Sequence, residues 1–402
     1  MERLTPQEQA LIERPDNAAM LAQVERWAAI NSGTRNLAGL ALMADALADA
    51  FTQLPGAVTL VDPAPVEAVR PDGSIDSLAH GQHLVVRVRP EASLRMLFTG
   101  HMDTVFGTEH PFQTLQWLEQ GILNGPGVAD MKGGIAVMLA ALQAIEAGGM
   151  QDFGYDILIN SDEEVGSASS AALIAELAQG KVAAFTYEPS ALPDGTLAGA
   201  RAGSGNFSII ITGKSAHAGR NPDEGRNALV AAADLAVRLK ALHRAGLSVN
   251  PARIDGGGPN NVVPDHAVLR VNFRPQTPAD VDYADKALAD LVADIAQRHD
   301  VTVHRHGSFN RPPKPIDAGA QKLFDHVKHC GADLGLTIGW KDTGGVCDGN
   351  NIAAAGIPVV DTMGVRGGSI HSSDEFLITD SLAERARLSA LAIYRLVTKG
   401  GL

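Results

Sequence analysis

Tyr155-Asp-Ile-Leu-Ile-Asn160-Ser-Asp162-Glu163-Glu164-Val-Gly-Ser167 is the stretch on which the fold turns. Tyr155, Ile157, Leu158 and Ile159 form an apolar run that reads as a buried strand over 155–160, and three acids follow almost at once. Outward from this point the layout repeats. Strands are expected over 83–88 and 94–99, a helix over 133–147, then a helix over 168–178 and a strand over 182–187. Buried strands alternating with helices mark an α/β layer fold, in which ligands gather where strands end in loops. Upstream, Leu21, Val24, Trp27 and Ala28, then Leu40, Leu42 and Leu47, predict two helices within 17–54. Downstream, Leu382, Ala386, Leu388, Leu391 and Ile393 predict a helix within 377–396 that packs against the main sheet.

From about Arg201 the pattern changes. Strands over 206–212, 267–273 and 301–306 alternate with helices over 227–242 and 279–297, which predicts a compact βαβαβ-like unit with one helical face. A helix over 316–334 returns to the first type. The expected organisation is therefore a first domain of residues 1–200 and 313–402, interrupted by a second over 201–312, with hinges near 199–204 and 310–314.

The chain has 402 residues, 45% of them hydrophobic, enough for a large core and two domains. Its net charge of -13 argues against nucleic acid or anionic membrane as a partner, since both demand clustered Lys and Arg. Residues 1–15 carry Glu2, Arg3, Glu8, Glu13 and Arg14 and no apolar run, so a cytoplasmic location is expected. Cys330 and Cys347 lack C-x-x-C spacing, which disfavours a disulfide framework or a cysteine-based zinc site; both are expected as reduced thiols.

Five places carry residues suited to chemistry. His101 and Asp103 follow the apolar residues Met96 to Phe98; they read as an imidazole ligand oriented by a carboxylate, or as a loop histidine beside a turn aspartate. Asp130 lies in Gly125-Pro-Gly-Val-Ala-Asp130-Met-Lys-Gly133-Gly134, just ahead of an apolar helix. It reads either as a helix N-cap or as a carboxylate whose two oxygens each bind one of two metals. A phosphate-cradling loop is weaker, because the spacing is not that of a Walker motif. Of Glu163 and Glu164, one would bind a metal while its neighbour acts as general base. The alternative is a solvated acidic turn at a helix N-terminus. Glu188, in Tyr187-Glu188-Pro189-Ser190, reads singly as a surface turn residue, and His371, in Gly368-Ser-Ile-His371-Ser-Ser-Asp-Glu375, as a structural histidine. Jointly, three of these five places follow strand-like runs, and all offer oxygen or imidazole donors suited to zinc.

The series Thr99-Gly-His101-Met-Asp103-Thr-Val, Gly127-Val-Ala-Asp130-Met-Lys-Gly-Gly, Asp162-Glu163-Glu164-Val-Gly, Tyr187-Glu188-Pro-Ser and His371-Ser-Ser-Asp-Glu, in order across nearly the whole chain, resembles the M20 family of metallopeptidases. The resemblance implies a zinc-peptidase-like α/β catalytic domain, with a mixed sheet flanked by helices, and an inserted smaller α+β lid and dimerisation domain. It implies two zinc ions per subunit, with manganese or cobalt also possible: His101, Asp130 and Glu188 on one, and Asp130, Glu164 and His371 on the other. Glu163 would be the base, Asp103 would orient His101, and a hydroxide bridging the metals would cleave an amide bond. Related deacetylases and desuccinylases often carry Asp where Glu188 stands, which points to the glutamate-carboxypeptidase branch and to release of a C-terminal amino acid from a peptide or N-acyl amino acid. An N-acyl-amino-acid deacylase or a dipeptidase is the alternative, and a non-catalytic binding protein on this scaffold a remote one.

In the inserted unit, Gly213-Lys-Ser-Ala-His217-Ala-Gly is similar to the family segment whose histidine reaches a neighbouring subunit's active site in a homodimer and there helps stabilise the oxyanion. By itself His217 is a histidine in a Gly-flanked loop. Asn261, in Asn260-Asn261-Val-Val-Pro264, and Arg274 are similar to the family's substrate-contacting pair, and the guanidinium fork suits a carboxylate. Thr343-Gly344-Gly345-Val-Cys347-Asp348-Gly departs from the family's Gly-Gly-Gly-Thr-Asp-like segment, and no pattern singles out a glutamate-reading residue among Arg305, His306 and Arg311. A two-metal phosphoesterase is disfavoured, since no Lys or Arg group clusters with the proposed ligands.

Overall fold

The computed structural model describes residues 4–402. Its central sheet has six strands, in the order Ala57–Val61, His83–Val88, Phe153–Asn160, Leu94–His101, Ala183–Thr186 and Val359–Val360. From Phe153–Asn160 onward the strands are mutually parallel, while His83–Val88 is antiparallel to its neighbours. Phe153–Asn160 is buried at every position, because helices cover both faces of a sheet of this kind. Leu84, Val86, Phe98 and Ile157 point to one face, under the helices Asn17–Ala28, Leu37–Phe51, Gly134–Ala147 and Ser381–Thr398. The alternate residues Val85, Leu97 and Leu158 point to the other, under Ala171–Ala178 and Asp348–Ala354. The apolar stretch Val128–Ala147 is long enough to cross a membrane by composition, but it is 89% buried inside the protein, as the core helix of the main domain.

The second domain is one antiparallel sheet, ordered Leu247–Gly256, His266–Pro275, Ser204–Thr212, Thr302–Arg311, with the helices Ala228–Ala241 and Pro278–His299 packed on it. Phe207, Ile209, Leu235 and Leu288 lie in its separate core. The expected βαβαβ-like unit lacks one of these strands, Leu247–Gly256. That strand holds Pro251, and only Leu247 and Val249 along it are buried. Edge strands tolerate proline, and half-exposed ones lose the alternation that would reveal them. A hairpin of Val66–Val69 and Ile75–Leu78 lies outside the expected elements as well; Arg270 of the second sheet donates to the Val69 carbonyl at 2.9 Å. The last helix begins at Ser381 and not at 377, because Phe376–Ile378 pairs as a strand with Ile122–Asn124. The chain enters and leaves the second domain side by side, with Arg201 and Lys314 exchanging backbone hydrogen bonds of 2.9 and 3.0 Å.

Candidate metal and active site

Three parallel strands end together and set the site. His101 closes Leu94–His101 in register with Asn160, and Thr99 lies opposite Thr186, so Asp103, Glu163, Glu164 and Glu188 all leave from one edge of the sheet. His101 is buried, with Nδ1 3.0 Å from the Asp103 carbonyl oxygen and 3.4 Å from its carboxylate. A proton on Nδ1 satisfies these acceptors and leaves the Nε2 lone pair facing Asp130 Oδ1 at 3.1 Å and Glu188 Oε2 at 3.7 Å. Burial works against charge on this imidazole, yet Glu188, Asp103 and Asp130 outweigh it and raise its pKa well above the ordinary value.

Asp130 faces a second imidazole with its other oxygen: Oδ2 lies 3.4 Å from His371 Nε2, which is 3.1 Å from Glu164 Oε2. The helix-cap alternative does not hold. The helix starts at Gly134 after an N-cap at Gly133 with no side-chain bond, and Met131, the residue after Asp130, is itself non-helical with φ and ψ of -135° and 37°, so Asp130 lies outside the cap position. The bend that delivers it needs glycine in two places. Gly127 has φ of +74°, and a Cβ on Gly134 would stand 1.9 Å from the Tyr187 carbonyl oxygen, where helix and strand meet. Glu375, fully buried, holds the bend from behind by accepting the amides of Gly127 at 3.2 Å and of Ala129 and Asp130 at 3.0 Å each.

The three consecutive acids separate. Asp162 turns away and accepts from Ser169 N at 2.6 Å, Ser169 Oγ at 2.8 Å and Ser170 Oγ at 2.6 Å, a structural role. Asp103 accepts Glu163 N at 3.2 Å, Glu164 N at 3.3 Å and the Thr34 hydroxyl at 2.7 Å, so it fixes the turn that bears both glutamates besides backing His101. Burial, and then the Asp130 charge, push Glu164 up to about 7. Burial likewise raises Glu188, against His101, and raises Glu163 well above the usual range, against Arg311. Of the carboxylates facing the two imidazoles, Asp130 is lowered, by His101 and His371 despite its burial.

This donor set fits divalent cations. His101, Asp130 and Glu164 offer ligand atoms within 4.8 Å of one another, as do His101, Glu163 and Glu188. Imidazole and carboxylate lone pairs converge with too few protons and too few cationic side chains to satisfy them, an arrangement that bound metal resolves.

A cavity of about 440 Å³ opens beside these groups, reaching from Asp130, Glu163 and His371 to Arg201, Thr343 and Cys347. Arg201 pairs with Asp361 at 2.7 and 3.1 Å, and Lys314 adds a contact of 2.9 Å to the same carboxylate. Arg311 is buried 2.7 Å from Glu163 Oε1, whereas Arg305 pairs with Asp285 at 2.8 Å and His306 lies 3.8 Å from Glu67. Arg311, Glu375 and Asp348 all stand against the site without any local pattern that marks them. His217 and Asn261 come together on the second domain: His217 bridges to Val262, and Asn261 accepts Ala218 N at 3.0 Å. Both are exposed, and neither meets the ligand cluster of its own chain. Arg274 is half-buried and donates to Asn272 Oδ1 at 3.0 Å; burial and then the Arg311 charge lower its pKa. Cys330 and Cys347 are buried free thiols.

Fold and site together define an α/β metallohydrolase. The sequence profile of Peptidase family M20/M25/M40 matches residues 97–395, and the chain belongs to that family. It is 29% identical over 387 residues to carboxypeptidase G2 from Pseudomonas sp. (strain RS-16), covering 94% of this chain and 89% of that protein. It is 28% identical over 322 residues to a succinyl-diaminopimelate desuccinylase from Pseudoalteromonas atlantica, covering 75% and 83%. Among solved structures, aminopeptidase PepT from Bacillus cereus superposes with a TM-score of 0.71 at 22% identity, covering 94% of this chain and 98% of that one. A dinuclear metal binding peptidase of the M20 family from Bacillus subtilis gives a TM-score of 0.66 at 15% identity, covering 95% and 99%.

Proposed function

We propose that the protein is a two-zinc amide hydrolase that releases a C-terminal amino acid from a peptide or N-acyl amino acid. The observation that carries this reading is the single carboxylate of Asp130 set between two imidazoles, His101 at 3.1 Å on one oxygen and His371 at 3.4 Å on the other. His101, Asp130 and Glu188 would hold one metal and Asp130, Glu164 and His371 the other; manganese or cobalt suits the same donors. Metals bound there would supply Lewis acidity for the scissile carbonyl and for an attacking water. Glu163, on the cavity wall, is placed to accept a proton from an attacking water and to return it to the leaving nitrogen. Asp103 keeps the turn bearing Glu163 and Glu164 in register with His101. Arg274 has no carboxylate partner among the described residues, which suits it to receive the substrate's carboxylate.

His217 and Asn261, exposed together and remote from the ligand cluster of their own chain, would complete the site of a second copy in a homodimer joined through the second domain. His217 would there stabilise the developing oxyanion. The resemblance to carboxypeptidase G2 supports release of a C-terminal amino acid; the one to a desuccinylase supports a deacylase that keeps the same metals and changes the acyl pocket.

The test is a screen of N-acyl amino acids and dipeptides with zinc-loaded protein, following the released amino acid, alongside Glu163→Gln. The variant is expected to keep two metals per chain and to lose at least ~100-fold in turnover. Full activity in that variant would remove Glu163 from the role of base.

A further inference from the structure

We infer that Arg311 is a positioning residue for Glu163, through which the second domain sets the orientation of the base; this rests on the role proposed for Glu163. Arg311 is the last residue of Thr302–Arg311, an edge strand of the second sheet, paired there with Ser204. Its side chain crosses into the first domain and is 4% exposed. Nη2 donates to the Glu163 carbonyl oxygen and to the Ser167 hydroxyl, both at 2.8 Å, and stands 2.7 Å from Glu163 Oε1, off the N–H direction. One guanidinium thus holds the backbone and the carboxylate of the same glutamate. That double hold restrains the side-chain torsions between the two points and sets Oε1 beside the guanidinium charge, with Oε2 left for proton transfer.

The guanidinium is itself held. Asp348 Oδ1 lies 3.5 Å from Nη2, and the Asp348 carboxylate also accepts from Asn160 Nδ2 at 2.7 Å and from the Ser167 hydroxyl. The neighbouring residue repeats the connection: Asn310 Nδ2 donates to the Gly166 carbonyl at 2.8 Å, and Asn351 Nδ2 donates to the Asn310 carbonyl at 3.2 Å. The return segment of the second domain and the turn over 163–167 are therefore tied at two consecutive side chains. A shift of that segment moves the base with it. The residue does not line the cavity beside Glu163, and its Nη2 is engaged by the Glu163 carbonyl and the Ser167 hydroxyl, the geometry of a support.

The experiment compares Arg311→Met, Arg311→Lys, Glu163→Gln and the double variant Arg311→Met/Glu163→Gln as metal-loaded full-length protein, on the best substrate of the screen. Arg311→Met is expected to lower kcat by ~10–100-fold with KM within about 3-fold of wild type and metal content unchanged. Arg311→Lys, which keeps the charge, recovers part of kcat and carries the comparison if the methionine variant does not fold. In the Glu163→Gln background the methionine change adds less than about 2-fold, because both substitutions act through one carboxylate. Amide hydrogen exchange over 163–167 is expected to quicken in Arg311→Met. A raised KM with kcat preserved would make Arg311 a substrate contact. Additive losses in the double variant, or unchanged exchange, would overturn the positioning role alone, whereas full activity in Glu163→Gln would overturn the base assignment and this inference together.

Discussion

Removing the carboxylate of Glu375 tests whether the bend bearing Asp130 is held from behind. Its Oε1 accepts the amides of Ala129 and Asp130 at 3.0 Å each, and its Oε2 accepts that of Gly127 at 3.2 Å. Glu375→Ala orphans three buried donors, at roughly 1–3 kcal/mol each. Burial and the Asp130 charge push Glu375 up to about 8, so some of that loss is offset when the carboxylate goes. A net destabilisation of about 2–5 kcal/mol is expected, a large share of the 5–15 kcal/mol typical of a folded domain. Glu375→Gln is milder: an amide oxygen in place of Oε1 keeps two bonds, while its NH2 opposes the Gly127 N–H, so the loss is about 1–3 kcal/mol. Because Asp130 faces both imidazoles, the two metals should weaken together, by ~10–100-fold as for other residues that orient ligands. Chelator competition measures both affinities, and denaturant unfolding of the chelated protein measures stability. Unchanged metal affinity in a destabilised Glu375→Ala protein would refute the link between this carboxylate and Asp130.

Asp130→Ala is expected to lose both metals at once, read by elemental analysis; two metals retained would leave Asp130 with no bridging role. Gly134→Ala places a Cβ 1.9 Å from the Tyr187 carbonyl, a backbone atom with no rotamer to escape into. About 1–3 kcal/mol of stability should go, visible as a lower Tm, and an unchanged Tm would mean the helix can slide at no cost. Burial lowers the pKa of His83 and His326, so the unfolded chain binds more protons below the ordinary histidine value. The contribution of these two neutral imidazoles is therefore complete above about pH 6.5 and is lost as pH falls, and His326→Gln should flatten that acid-side decline; an equally steep one would clear His326 of any part in it.

His101, the Glu163–Glu164 pair and Glu188 are legible in the chain because each follows a strand whose apolar run is unmistakable, and strand ends converge in a parallel sheet. Asp130 is only half legible. A carboxylate before an apolar helix looks the same whether it caps or coordinates, and only the observed start of the helix at Gly134 separates the two. Asp162 is indistinguishable from its neighbours until the hydroxyls of Ser169 and Ser170 claim it. The supporting residues leave no local trace. Arg311 meets Glu163 across 148 positions and Glu375 meets Asp130 across 245, so no periodicity or spacing connects them. In the second domain, Leu247–Gly256 escapes notice for a different reason: Pro251 and an exposed outer half erase the alternation by which a strand is read.

The paired crossing at Arg201 and Lys314 has a consequence for how such a chain diversifies. Two residues that exchange backbone hydrogen bonds across antiparallel segments are the partners that a two-residue hairpin loop ordinarily joins. Everything between them stands where a minimal turn would be enough to close the host fold. Lengthening, trimming or exchanging that excursion leaves the six-stranded sheet and its strand ends in place. The two parts of the fold can thus change length independently, with Arg311 among the positions where the second must still answer to the first.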